Sequence, residues 1–325
     1  MNPSRGISIV IRCCNEERHI GRLLDGILEQ SEKDVEILLV DSGSTDGTLA
    51  VAQRYPVRVV SIAPESFSFG YSLNRGCAEA AGEFIVIASA HVYPLYRDWL
   101  AKLLAPFRDE RVGLVYGRQR GTDGSKYSEQ QLFQAWFPGQ SNYDQPHSFC
   151  NNANAAIRRS LWQRYPYNES VTGLEDLAFA KEIKAAGWRI AYEAEAEVAH
   201  VHEESWGRVY TRYRREAIAL KDIYEHEHFG RRDFVRLFTS NVLSDLRHAW
   251  HDGALLRNLR GILLFRLCQF LGTYRGFRQH GAVSSALKRK FYYPNAPAAG
   301  AAGRAGRDSH GLAIDYSRAG DKRNG

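Results

Sequence analysis

Long hydrophobic runs are missing from this chain of 325 residues. No apolar stretch reaches the ~20 residues that a helix needs to cross a bilayer, which argues against a membrane-spanning protein. No apolar segment with a cleavage site precedes Ile7, so no signal peptide is read. Cysteine is sparse: Cys13, Cys14, Cys77, Cys150 and Cys268 show no metal-ligand spacing. Cys13 and Cys14 are adjacent in an expected strand and point to opposite faces, so they do not suit a mutual disulfide. All five read as reduced thiols of a cytoplasmic protein. A glycine-rich loop with a basic phosphate contact is also absent near the N-terminus, where the chain reads CCNEERHIG. Recognisable nucleic-acid motifs are missing, although Lys and Arg total 43 against 37 Asp and Glu.

What is present is a packed α/β pattern, with hydrophobic residues at 44%. Ile7–Ile11, Val35–Val40, Val57–Ile62 and Glu83–Ala88 read as strands. Between them, Glu16–Gln30, Asp46–Arg54 and Ser72–Ala81 read as helices. The alternation implies a mostly parallel sheet. Trp99–Phe107 reads as a helix and Val112–Gly117 as a strand, then Thr122–Ser148 as a mobile loop or insertion. Asn154–Ile157, Arg189–Glu193 and Glu197–Val201 read as short strands, with helices over Arg159–Arg164 and Glu175–Gly187. Beyond Ser205 the pattern is helical and basic, and from Asn295 onward it lacks apolar periodicity. The expected organisation is a catalytic domain over 1–205, divided near 117, a basic amphipathic helical extension over 206–293, and a disordered tail over 294–325.

Three segments carry the chemistry. ISIVIRCCNEE (Ile7–Glu17) and EILLVDSGSTDGT (Glu36–Thr48) each run an apolar strand into a polar turn, as nucleotide pockets at strand carboxyl ends are built. GLED (Gly173–Asp176) places two carboxylates far downstream. In this order they resemble family 2 glycosyltransferases, inverting enzymes of the GT-A fold, and in VDSGSTD with Ser-Ala-His the rhamnosyltransferase-like branch. The resemblance covers roughly Ser4 to Lys221. It implies a nucleotide-sugar donor and a Rossmann-like sheet sandwiched by helices.

On that resemblance, Asp41 is the base-recognising acid and Asn15 and Glu16 form the first nucleotide-contacting turn. Asp46 and Ser44 serve equally as helix caps, and Glu16 equally as a first-turn acid. Arg12, inside the first strand, needs a partner such as Asp41 or a neighbouring acid. Asn74 and Arg75 fall nearest the phosphates, and Arg214 is a candidate phosphate clamp. Asp176 is the general base, with Glu175 in support, or the two are merely a helix N-terminal acid pair.

Ser89-Ala90-His91 stands where most relatives carry Asp-x-Asp. Ser89 can bond a ribose hydroxyl. His91 either ligates a metal with His202 or, protonated, contacts phosphate directly. His200 and His202 share one strand face, so either can reach the site. The resemblance implies a divalent metal, Mn or Mg, and imidazole favours Mn- or Zn-like ions over Mg.

Phe234–Leu246 and Leu255–Gly272 alternate apolar and basic positions at helical spacing. They either pack on the catalytic domain or lie in an anionic headgroup layer at the inner face of the membrane. Lys288–Lys290 with Phe291, Tyr292 and Tyr293 form a further basic-aromatic patch. The expected partners are therefore a nucleotide-sugar donor, a glycan or lipid-linked acceptor, and the membrane surface. A nucleotidyltransferase acting on a sugar phosphate and an inactive binding scaffold are the alternatives.

Overall fold

The computed structural model describes residues 6–281 and 313–316. Eight strands form one mixed sheet in the order β3-β2-β1-β4-β7-β6-β8-β5. The parallel part holds β1 (Ile7–Cys13), β2 (Val35–Asp41), β3 (Arg58–Ser61) and β4 (Phe84–Ser89). β1 is buried along nearly its whole length because both faces of the sheet are covered. Ile9, Ile11 and Cys13 meet Ile20, Leu23, Leu24 and Ile27 of helix α1 (Ile20–Leu28). Val10 on the other face packs with Leu38, Val40, Leu73 and Cys77. Leu73 and Cys77 belong to α3 (Phe69–Glu79), which follows the short α2 (Thr48–Ala52).

Topology brings loops from distant parts of the chain to one sheet edge. Cys13 is paired with Asp41, and Arg12 with Ser89, so β1, β2 and β4 end together. β7 (Asn154–Arg158) runs antiparallel to β4, so its first residue, Asn154, lies beside Ala88 at that edge. β6 (Val112–Gly121) and β8 (Arg189–His200) run parallel and end with Gly121 opposite His200. β5 (Val92–Pro94) then pairs Val92 with His200.

Several expectations change. α1 starts at Ile20 rather than Glu16, because residues 15–19 form a turn tied to the next loop. The two short strands expected over 189–201 are one strand, with a register jump between Gly117 and Gln119 of β6. The acids that interrupt its apolar pattern have partners: Glu193 accepts from Ser141 and Tyr143, Glu195 from Lys102 and Glu197 from Arg120. The loop expected over 122–148 contains α5 (Tyr127–Trp136), whose buried face is partly polar, with Ser128, Glu129 and Phe133. α4 (Trp99–Leu104), α6 (Arg159–Arg164) and α7 (Glu175–Ala185) lie within the expected spans. The basic-aromatic patch at 288–293 lies outside the described residues, as does most of the expected disordered tail. The described part of that tail is placed: Ile314 N–H donates to Leu95 at 3.1 Å and Tyr316 O–H to Pro94 at 2.5 Å.

The helical extension consists of α8 (Trp206–Ile223), α9 (Arg231–His251) and α10 (Leu255–Phe277). α10 lies close against α8 because Gly272 and Gly276 are one turn apart. A Cβ at either would come within 2.5 Å of the carbonyl oxygen of Tyr210 or Arg214. α9 is held by a buried forked ion pair in which Arg266 donates to Asp245 at 2.7 and 2.8 Å. Asp245→Ala should therefore cost about 3–5 kcal/mol, because it leaves a buried guanidinium uncompensated. The apolar double variant Asp245→Leu/Arg266→Met should recover most of that loss in urea denaturation. A double variant as unstable as the single would show that the pair's charge is not what matters.

Candidate functional site

The first two turns at the sheet edge are stitched to each other. Asn15 takes a left-handed backbone (φ 57°), and its side-chain oxygen accepts from the N–H groups of Thr45 and Asp46 at 2.8 and 3.3 Å. The Glu16 N–H donates to Thr48 Oγ1 at 2.7 Å, and the Gly47 N–H to the Glu17 carboxylate at 3.0 Å. Asp41 is buried at the end of β2 and accepts from Gly43 N–H, Ser44 N–H and Ser44 Oγ. It thus shapes its own turn. Asp46, one residue before the N-cap Gly47 of α2, accepts from Thr48 N–H and from Glu17 N–H.

GLED lies across the cleft. Leu174 is left-handed (φ 54°), and with Asn15 it makes up the non-glycine residues of positive φ among those described. Such conformations cost roughly 1–3 kcal/mol each, and both occur in turns of this edge. Leu174 is the N-cap of α7, and as the first two residues of that helix Glu175 and Asp176 point about 100° apart. Glu175 is buried and meets Arg12 Nη1 at 3.0 Å. Arg12 therefore has its acid partner, Glu175 and not Asp41. Asp176 accepts from the N–H groups of Asn152 at 3.1 Å and Leu177 at 2.8 Å, one on each oxygen. Burial, followed by the charge of Glu175, pushes its carboxyl up to about 7, against the pull of those N–H groups and Arg12. A carboxyl poised there can accept a proton near neutrality.

The third feature is a group of imidazoles. His91, between β4 and β5, lies 5.1 Å from the His200 ring and 5.8 Å from the His202 ring, and the latter two are 4.0 Å apart. One ring nitrogen from each comes within 4.8 Å of the others, as a metal ion requires. Glu16 bonds His91 Nδ1 at 2.8 Å, so it backs the imidazole. Burial opposes the charge on His91, but Glu16 outweighs it and raises the imidazole's pKa. Burial, with His202 and His91 nearby, drives that of His200 well below its ordinary value. His202 lies just beyond the end of β8 and bonds Glu129 at 2.8 Å, and Glu129 and Glu204 also hold Arg212 at 2.7 and 2.8 Å.

The remaining expected site residues divide. Ser89, half-buried, ends β4 beside this cluster, and Arg75 is exposed on α3. Asn74 is spent on structure, donating to Tyr167 and Glu169 and accepting from Trp162 and Tyr167, so it is a fastener rather than a phosphate contact. Arg214 donates to Gln279 beyond α10. Its neighbour Arg215 instead stacks over Phe69 at 4.6 Å, with Arg12 also over that ring at 4.9 Å. One residue along a helix turns the side chain by about 100°, and the sequence pattern of adjacent arginines does not say which one faces the cleft. Glu129, which carries no sequence signal as a site residue, is buried and bonds His202, and Gln119, at the cleft end of β6, is buried and bonds His200.

Residues 8–165 match the family described as Glycosyl transferase family 2. The O-antigen chain rhamnosyltransferase WbaN of Salmonella anatum is 27% identical over 204 residues, 57% of this chain and 62% of that protein. The O-antigen chain rhamnosyltransferase RfbN of Salmonella typhimurium is 24% identical over 64% of this chain and 70% of its own length. The matched stretch thus spans slightly less than two thirds of the first relative. The fold is similar to that of a mannosyltransferase from Pyrobaculum calidifontis in complex with GDP-Man and Mn2+. That similarity has a TM-score of 0.57 at 20% identity and covers 88% of this chain and 87% of the other.

The raised Asp176 carboxyl has a consequence for stability. Between its ordinary 3.8 and about 7 the folded chain holds a proton that the unfolded chain has released. Stability should therefore fall as pH rises across that window, by less than about 1.4 kcal/mol per pH unit. Asp176→Asn should flatten this slope in urea midpoints measured from pH 4 to 7.5. An unchanged slope would mean that Asp176 titrates normally.

Proposed function

We propose that this chain, which matches glycosyl transferase family 2 over residues 8–165, moves a sugar from a UDP- or dTDP-sugar to a hydroxyl of a lipid-linked or polysaccharide acceptor, with inversion. The family assignment leaves the nucleotidyltransferase alternative without support. The observation that carries the reading is Asp176, a carboxylate raised towards neutrality beside the stitched turns of β1 and β2. Each oxygen accepts one backbone N–H and keeps a lone pair for an incoming proton. In the transfer, Asp176 takes the proton of the acceptor hydroxyl as its oxygen attacks the anomeric carbon. The bond from that carbon to the diphosphate oxygen breaks, and the nucleoside diphosphate leaves with the electron pair. Glu175, neutralised by Arg12, holds the helix start in place. Rhamnose is the sugar named for both relatives, which favours a deoxyhexose donor.

The donor side combines Asn15, Glu16 and Asp41, which set the shape of the nucleotide turn, with Arg12 and Arg215 flanking Phe69. His91 and His202 are suited to hold a divalent ion, whose chemistry would be to neutralise charge on the departing diphosphate. Asp176→Asn should retain donor binding by calorimetry and lose turnover by about 10²–10⁴. Wild-type turnover should rise with pH through about 7 as the base ionises. Near-normal turnover in the variant would end the assignment.

The acceptor reading is supported by the helical extension. No helix among the described residues is long and apolar enough to cross a membrane. Yet Leu256, Leu259, Leu263 and Leu267 are exposed along α10, Leu256 at 91%, with exposed Arg257 and Arg260 among them. Their spacing puts the four leucines on one helix face. Apolar side chains flanked by arginines fit an anionic lipid surface, so the protein sits peripherally on the inner face of the membrane. It should co-sediment with phosphatidylglycerol vesicles and much less with phosphatidylcholine, and Leu256→Glu/Leu263→Glu should abolish that. Equal recovery with both lipids, or by the variant, would remove the membrane from the proposal.

A further inference from the structure

The half-buried His91 and His202 are the two imidazoles that the sequence brings forward; His200 between them is buried and is the least explained. Its Nδ1 bonds Gln119 Oε1 at 2.7 Å, and its Nε2 is buried with no partner. A buried polar atom left unpaired costs about 1–3 kcal/mol, so a fold that keeps one there needs a reason. The same arrangement recurs at the other two rings, where Nδ1 of His91 is held by Glu16 and Nδ1 of His202 by Glu129, each at 2.8 Å. Three imidazoles from two chain segments thus have Nδ1 engaged by an oxygen acceptor. That fixes the ring orientation and leaves Nε2 as the nitrogen available to an ion, the outer-shell pattern of metal-bound histidine.

We propose that His91, His200 and His202 form one three-imidazole site for a late first-row divalent ion of the Zn2+, Co2+ or Ni2+ class, with His200 as its third ligand. Nitrogen ligands suit these ions, whereas carboxylate and water suit Mg2+ and, contrary to the expectation from sequence, Mn2+ as well. Three protein ligands leave a coordination position open, as in metal sites that also bind a substrate oxygen. The nearby group of Glu129, His202 and Glu204 offers ligand atoms at similar spacing. There the Arg212 guanidinium already bonds both carboxylates, at 2.7 and 2.8 Å, and supplies the positive charge itself. The inference deepens the metal reading above but does not depend on the transfer reaction.

The test uses the full chain without a histidine tag, stripped with chelator and titrated with Co2+ in the absence of any sugar donor. One Co2+ per chain should bind, with visible d–d absorption, and Zn2+ should displace it stoichiometrically while millimolar Mg2+ does not. His200→Ala should weaken Co2+ binding by more than about 10-fold, and Gln119→Leu by roughly 10–100-fold through loss of the hydrogen bond that orients the His200 ring. Urea midpoints of both variants, taken without metal, establish that they are folded. If His200→Ala does not fold, Gln119→Leu alone decides. Unchanged Co2+ affinity in the folded variants, displacement by Mg2+, or no Co2+ binding would overturn the inference. Because no turnover is read, an enzyme that transfers sugar yet binds no Co2+ would refute this site and leave the transferase reading standing. The reverse result would refute only the latter.

Discussion

Arg12 brings a positive charge into a strand whose neighbouring positions are buried, and Glu175 meets it from the start of a helix more than 160 residues later in the chain. Neither group is tolerable there alone, since a buried charge needs a counter-charge and hydrogen bonds. The pair therefore pins the beginning of α7 to the carboxyl end of β1. It also settles the different fates of two adjacent acids. Glu175 has the cation, at 3.0 Å. Asp176 has two backbone N–H groups, and its burial, followed by the repulsion of Glu175, raises its carboxyl to about 7. Two adjacent carboxylates thus have different surroundings, and surroundings are what commonly assign acid–base roles. Successive positions on α7 diverge by about 100°, which turns the two side chains apart.

The other half of the site depends on the far strands. β8 leaves the register of β6 near Gly117 and rejoins it at Gln119 opposite Val198, which carries the strand on to His200. β5 then pairs antiparallel with that end, and Val201 N–H donates to the His91 carbonyl at 3.0 Å. Three rings more than 100 residues apart in part of the sequence meet because of this local irregularity. Bulged register at a sheet edge often re-aims side chains towards a site, and here it does so.

Much of this was legible in the sequence wherever the signal is local. Continuous apolar runs identified β1 and β2, and the turn residues after them identified the cleft. GLED stood out by its paired acids. What was not legible is what depends on tertiary pairing. Arg12 needed an acid, but only the fold distinguishes Glu175 from Asp41. Asn74 resembled a phosphate contact until its four hydrogen bonds to Trp162, Tyr167 and Glu169 were seen. α5 was hidden because its buried face carries Ser128 and Glu129, which interrupt apolar periodicity, and Glu129 bonds His202 and Arg212. Arg214 and Arg215 are indistinguishable by composition and differ only in helix face. The Ala313–Tyr316 stretch lacks periodicity, yet it is anchored by backbone bonding at Leu95 and a tyrosine hydroxyl on Pro94.

The loss of Asp-x-Asp looks at first like a loss of the negative charge that a cation site needs. The structure suggests a different account. Ser89 and His91 carry no negative charge where the resemblance implies two carboxylates, but Glu16 and Glu129 stand directly behind His91 and His202. Both carboxylates are held in the ionised form: burial opposes this, and the histidines they face outweigh it. In the proposed three-imidazole site, negative charge would thus stand one layer outward, at Glu16 behind His91, while that of Glu129 is already met by Arg212. A carboxylate placed there still attracts a cation through the ring and raises the ring's basicity as a ligand. In the proposed site the atom touching the ion would be nitrogen in place of oxygen, and the class of ion preferred would change with it.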